Sequence, residues 1–320
     1  MTSLSNNSTV LDLYPVLQIV QFLPVSFAFP PLLFVFTYLN RMALHSNCRA
    51  LMFTWIGAFI VMVTINLLMS LFDLAAGHYN PQNISETEWG PYLYTGHGMT
   101  HAFSSVQELY IAVERAVACY RPDKYHNRSF NWPIFLLLES IALLWTYCYM
   151  LIIQTDNFFY IGATSNTVDT SALLCMIFGS LFIRRMKLVQ HDTLNAKYQV
   201  REAATVSHII LLIGFVSLFS KMSAMIWVWL FVMDLASFSI ITTSAVMMHT
   251  VNCGFVGYLF IWKHEGLRRR AVNLSRAYCR TGGSIRTGIM RYADIELRLR
   301  YTELEQDTEI HFNELARYWA

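Results

Sequence analysis

Charge is scarce in this sequence. Only 14% of its 320 residues are Asp, Glu, Lys or Arg, against about 25% in ordinary soluble domains. The 23 basic and 21 acidic side chains are too few to cover a soluble particle that is 55% hydrophobic. Length alone would allow two soluble domains, but the distribution of charge favours one integral membrane domain. An internal repeat is missing, as are a glycine-rich phosphate loop and a Walker sequence, so nothing points to nucleotide chemistry. The first fourteen residues lack a basic segment followed by an apolar core, and the first apolar stretch is expected to act as an uncleaved signal-anchor.

The charge-free stretches are long: 28 residues between Asp12 and Arg41, 23 between Arg49 and Asp73, and 28 between Asp234 and Lys263. A helix needs roughly 20 mostly apolar residues to cross a bilayer. Four more stretches qualify with one or two polar interruptions. Seven transmembrane helices are therefore expected, at 15–39, 51–72, 90–113, 132–154, 158–183, 203–232 and 235–262. The expected fold class is an all-α membrane protein, a seven-transmembrane helix bundle. Residues 1–14 form an outer N-terminus, 15–262 the bundle and 263–320 a cytoplasmic tail.

Lys and Arg are absent from residues 1–40, 73–89, 155–157 and 233–234. All but Lys221 fall in the alternate connections and the tail, which by the positive-inside rule puts the N-terminus outside and the C-terminus in the cytoplasm. Glycosylation sequons at Asn6, Asn7 and Asn83 lie on the outer side, whereas those at Asn127 and Asn273 lie inside. None of the six cysteines falls in an outer connection, so a disulfide tying helix three to the second outer loop is excluded. Cys119 and Cys279, close to basic residues at the inner leaflet, are candidates for palmitoylation, with free thiols the plainer alternative.

Ionisable groups in hydrocarbon are expensive and usually face the bundle interior. His97, His101, Ser104 and Glu108 share one face of helix three. Counting back from Arg115, His101 lies about 21 Å up the helix and Glu108 about 10 Å. Asp169 in helix five and Lys221 in helix six come out about 17 Å from the outer ends of their helices, so a buried Asp169–Lys221 pair would relieve two desolvation costs together. His97, His101, Asp169 and Lys221 are the candidate ligand-binding residues. The alternative is that they serve packing and hydrogen bonding, as Glu139 in helix four can. At the inner end of helix three, Glu114 and Arg115 can form a latch or simply mark the membrane boundary. Pro24, Pro30 and Pro31 should bend helix one. Trp227, Trp229, Tyr92 and Tyr94 suit an interfacial aromatic belt. In the tail, Lys263 to Arg270 reads as a short basic helix on anionic headgroups, and from Asp294 onward acids predominate.

Three motifs carry a resemblance. They are Leu44-His45-Ser46-Asn47 in the first inner connection, Glu114-Arg115-Ala116-Val117-Ala118 closing helix three, and Leu194 to Glu202, containing Lys197-Tyr198-Gln199-Val200-Arg201-Glu202, entering helix six. In that order they resemble nematode seven-helix chemoreceptors of the Sra superfamily, class epsilon (Sre) above all, over roughly residues 15–275. The chain departs from that pattern at Ala203, where Asn is usual, and at His126, where Glu is usual. The resemblance implies a G-protein-coupled chemosensory receptor in the plasma membrane of sensory-neuron cilia, detecting an environmental or pheromonal small molecule. It implies that Glu114 and Arg115 correspond to the acid–arginine pair of rhodopsin-like receptors, and that Lys197, Tyr198, Gln199 and Glu202 sit where a heterotrimeric G protein couples. The seventh-helix Asn-Pro-x-x-Tyr motif is absent; Asn252 and Tyr258 occur without the proline or the spacing.

Two other function classes are open. A ligand-gated channel or transporter subunit is one, although an odd helix count and no repeat argue against a transporter. The other is a membrane zinc enzyme using His97, His101 and His249. The expectation is a receptor, not an enzyme, with no cofactor, no resident metal and no nucleic-acid partner. Its partners would be a small-molecule ligand, a G protein and the bilayer.

Overall fold

A computed structural model describes residues 20–42, 44–75, 90–120, 125, 130–154, 158–188, 194–233 and 238–280. Among them the regular structure is entirely helical: α1 (Phe22–Tyr38), α2 (Ser46–Ala75), α3 (Gly90–Tyr120), α4 (Trp132–Ile153), α5 (Phe158–Leu188), α6 (Leu194–Val232), α7 (Phe238–Lys263) and α8 (Glu265–Arg280). A short 3₁₀ turn, Leu39–Arg41, follows α1. The chain divides into two compact units, 1–267 and 268–320, and α1 to α7 belong to the first. Most of α8 belongs to the second. Along α8, Leu267, Ala271 and Leu274 recur at helical spacing while Arg268 and Arg269 are exposed, an amphipathic pattern, and the helix runs to Arg280, beyond the Lys263–Arg270 segment read as basic helix.

Helix is the only backbone conformation that satisfies its own polar groups along such apolar stretches. Start signals are local. At α4 the Asn131 side chain accepts a hydrogen bond from the Ile134 amide at 3.2 Å, with Pro133 in the first turn, where no donor is lost. α1 continues as helix through Pro30 and Pro31.

Successive helices pack in a closed ring, α1 on α2 and so on to α7 on α1, while α3 also packs on α5 and α6. The contacts fix direction. Thr54 meets Gln107 and Ile65 meets Gly96, so α2 and α3 are antiparallel. α3 and α5 are parallel: Ser105 meets Asp169, Ala112 lies beside Gly179, and Cys119 packs on Ile183. Alternation continues to α7, whose Gly254 and Gly257 lie against Phe27 and Pro31 of the parallel α1. One end of the ring therefore gathers Arg49, Arg115, Arg184, Arg185 and Lys263. We call it the basic end.

The ring is inverted in polarity relative to a soluble protein. On α4, Trp132, Ile134, Leu136, Leu137, Leu143 and Leu144 are exposed, while Asn66, His97, Gln107, Glu108, Arg115 and Asp169 are buried. Large exposed apolar surfaces of this kind are stable only against lipid or a partner. Among the described residues, four segments are long and apolar enough to cross a membrane: Ser46–Phe72, Trp132–Ile152, Thr167–Met186 and Thr243–Lys263. The protein is thus a helical protein suited to a bilayer. All seven expected helices form, but α3 does not qualify as a span by apolarity, and α1 and α6 supply only the shorter apolar helices Phe22–Tyr38 and Ala204–Phe219. The reason for α3 is its position: packed against α2, α4, α5 and α6, it can carry polar residues that never meet lipid. Helix ends also differ from expectation. α2 begins at Ser46, α6 at Leu194, and α3 and α5 run to Tyr120 and Leu188. Hydropathy marks the lipid-covered length, whereas a helix can continue beyond it into water.

The α1–α7 seam depends on missing side chains. A Cβ on Gly257 would sit 2.9 Å from Pro31 Cβ and 3.0 Å from the Pro31 carbonyl carbon, and backbone cannot move aside as a side chain can. Gly257→Ala is expected to lower stability by about 1–3 kcal/mol, the usual cost of overpacking. Gly96→Ala, facing only the flexible Ile65 Cδ1 at 3.4 Å, should be close to neutral. Thermal unfolding of the two purified variants checks both.

Candidate functional site

Two buried polar clusters are threaded on α3. The first lies in the half away from the basic end. His97 and His101, one turn apart, both face α7, where His249 stacks nearly parallel to each ring. The centroids are 5.3 Å and 4.7 Å apart and the planes 15° and 11° from parallel. His97 Nε2 is 3.1 Å from His249 Nδ1, a hydrogen bond that closes when one nitrogen bears the proton and the other is bare. Toward α5, the Ser105 hydroxyl donates to Asp169 Oδ1 at 2.6 Å, and Asp169 Oδ2 lies 4.0 Å from His101 Nε2. His249, His97, His101, Asp169 and Ser105 thus form one polar string joining α7, α3 and α5. Among the described residues no three His, Cys, Asp or Glu side chains are placed to hold a metal ion. The zinc grouping of His97, His101 and His249 is brought together in space, but as a stack.

Further hydrogen bonds fasten the surroundings. Asn66 Nδ2 on α2 donates to Thr250 Oγ1 on α7 at 2.6 Å, and Asn252 Nδ2 on α7 donates to Ser217 Oγ on α6 at 3.1 Å. Gln107 Nε2 on α3 donates to Glu139 Oε2 on α4 at 2.9 Å. Glu139 is therefore an interhelical hydrogen-bonding group. Glu108 is buried at 3% exposure, on the interior face with the two histidines.

The second cluster is at the basic end. Arg115, 1% exposed, grips its neighbour Glu114 with two donors, Nε to Oε2 at 2.6 Å and Nη2 to Oε1 at 2.8 Å. Its Nη2 also donates to the buried Tyr125 hydroxyl at 3.3 Å, and the Tyr125 ring stands against His45 with centroids 4.1 Å apart. The Asn131 amide donates to Asn47 Oδ1 at 3.3 Å, and Arg49 Nη2 donates to the Leu44 carbonyl at 2.8 Å. Leu44–Asn47, Glu114–Arg115 and the connection after α3, separate in sequence, meet here. Fork-on-fork arginine–carboxylate geometry is the strong form of such a pair. Beside Arg115 is a cavity of about 10 Å³, bordered also by Ser180 and Ser207, with room for about one water.

Of the residues expected to bind ligand, His97, His101 and Asp169 come together. The Lys221 side chain lies outside the described residues, as do those of Lys197, Tyr198, Gln199, Glu202 and Cys279 and the whole of Asn6, Asn7 and Asn83. The described partners of Asp169 are Ser105 and His101. Cys119 is fully buried against Ile183, so in this packing its thiol is closed to an acyl chain; proximity to arginines in sequence did not reveal that it faces inward. Ser105 and Tyr125 had no assigned role, because their partners arrive from other helices or connections. Tyr125 in a connection between two apolar stretches was the one available signal.

Compared with models of known families the chain matches none, and it matches no curated protein.

Proposed function

We propose that this chain is a seven-helix chemosensory receptor of the plasma membrane, N-terminus outside, that binds a small molecule near His97, His101 and Asp169 and signals through a heterotrimeric G protein at the basic end. One observation carries the proposal: the central helix α3 is lined in one half by a polar string of His97, His101 and Ser105 that meets His249 of α7 and Asp169 of α5, and carries a buried Arg115–Glu114 pair at its other end. A rigid helix linking two such clusters is what coupling a ligand to an intracellular partner requires. The histidine string ties α7, α3 and α5, and a ligand that exchanges hydrogen bonds with it favours a different packing of those helices. By binding that packing better, the ligand shifts a pre-existing equilibrium, and Arg115 leaves Glu114 to meet the partner. The basic residues gathered at this end suit the cytoplasmic side, and the quoted motifs resemble Sre chemoreceptors.

The test is a small-molecule screen in cells expressing the full chain, with calcium as readout, followed by nucleotide exchange on G protein reconstituted with the purified protein. An active compound should accelerate exchange, and Arg115→Ala should abolish the response. Ionic current in a bilayer free of G protein, without any exchange, would overturn the proposal in favour of a channel.

A further inference from the structure

Toward the basic end, a cleft of about 250 Å³ opens between α5 and α6. Its polar lining is Ser180 and Arg184 from α5 with Thr205, Ser207 and His208 from α6, and none of the described residues that line it is acidic. Ile183 and Leu211 complete it as an apolar wall.

The two serines are the anomaly. Hydroxyls on apolar helices ordinarily donate to the carbonyl three or four residues back. Thr64, Ser70, Thr146 and Ser171 all do so, at 2.8, 2.9, 2.8 and 2.7 Å. Ser180 Oγ and Ser207 Oγ are buried, each residue 9% exposed, and make no hydrogen bond among the described residues. Both border the cleft as well as the small cavity beside Arg115. Buried hydroxyls left without a partner are rare and costly, and a pair of them on facing helices, beside an arginine and with no carboxylate among the described lining residues, points to an absent acceptor. One water fits the smaller cavity, but the cleft is much larger. A carboxylate offers two oxygens in one plane, whereas donors from two helices and a guanidinium fork together suit a tetrahedral oxyanion.

We propose that this cleft binds a phosphoryl oxyanion, with Arg184 supplying charge and Ser180 and Ser207 the hydrogen bonds they otherwise lack. His208 and Thr205 stand at the same lining. An anion held this way bridges α5 and α6. Its source is either an anionic lipid headgroup, whose acyl chains would follow Ile183 and Leu211, or a soluble phosphate.

The experiment uses the full chain in nanodiscs of phosphatidylcholine alone, or with added phosphatidic acid or phosphatidylserine. Retained lipid is counted by native mass spectrometry, and the melting temperature is recorded. Phosphatidic acid should be retained over both other lipids and raise the melting temperature. Arg184→Gln should weaken retention about tenfold, as expected for loss of one charge-assisted hydrogen bond. The double change Ser180→Ala with Ser207→Ala should also weaken it, while melting in phosphatidylcholine alone stays the same or rises, which separates binding from folding. If inorganic phosphate raises the melting temperature in phosphatidylcholine discs and both variants abolish this, the site stands and its ligand is soluble. Retention that follows charge alone, equal for phosphatidic acid and phosphatidylserine, overturns the proposal, as does retention unchanged in both variants with no effect of phosphate.

Discussion

Glu114→Gln is expected to raise agonist-free nucleotide exchange well above wild type. The change keeps the shape of the side chain and removes the charge that holds Arg115 through two short hydrogen bonds. The amide oxygen of the new side chain still accepts one hydrogen bond, so Arg115, 1% exposed and also bonded to Tyr125, loses its counter-charge and one of its two short contacts to residue 114. Removing one partner of a buried pair costs about 3–5 kcal/mol, and the side chain of Glu114 is itself only 11% exposed. Each 1.4 kcal/mol is a factor of about ten in an equilibrium. That range corresponds to about two to three and a half powers of ten, and because an acceptor oxygen remains at position 114 the resting packing should lose the lower end of it, about two, against any packing that lets Arg115 reach the cytoplasm. Basal exchange at matched receptor number measures this directly. Wild-type basal exchange in Glu114→Gln, together with a wild-type melting temperature, would mean that the pair restrains nothing.

Asp169→Ala is the second large effect. Asp169 accepts the 2.6 Å hydrogen bond of Ser105 and faces the buried His101 ring, so truncation strips both of a buried counterpart. The cost is about 1–3 kcal/mol per unsatisfied group. Ser105 has a fallback, since its hydroxyl also lies 3.2 Å from the His101 carbonyl, and the His101 ring, 4.0 Å from Asp169, loses a charged neighbour rather than a hydrogen bond, so the cost should fall at the lower end of that range. A lowered melting temperature and a lost ligand response should appear together. Asp169→Asn, which still offers Ser105 an acceptor oxygen, should recover most of the stability and little of the ligand response if the charge is what the ligand meets. Equal melting temperatures for wild type and Asp169→Ala would remove Asp169 from the account of packing.

The number and order of the helices were legible because three expected spans are long gaps in the charge pattern and the other four are apolar but for one or two interruptions, and a bilayer leaves the backbone few alternatives there. Their ends were not: Leu194 to Val200 carries Lys197 and Gln199 and reads as connection, yet it is continuous with α6. At the site, His97, His101 and Asp169 stood out as ionisable groups in apolar surroundings, and helical spacing put the two histidines and Glu108 on one face. The roles of His249, Ser105 and Tyr125 depend on which helix arrives opposite, and that is decided by packing across the ring. Cys119 shows the same limit in reverse, since inward and outward positions near a helix end look alike until a neighbour such as Ile183 covers one of them.

The pairing of α3 with α5 repeats at three levels, Ser105 with Asp169, Ala112 with Gly179 and Cys119 with Ile183, and so works as a vernier with a single matching position. Slippage by one residue would mismatch every level at once, and the next setting with faces aligned is a full turn away, about 5.4 Å. Gradual creep between these two rods is therefore opposed at every level, and a change of register has to come as a whole-turn step.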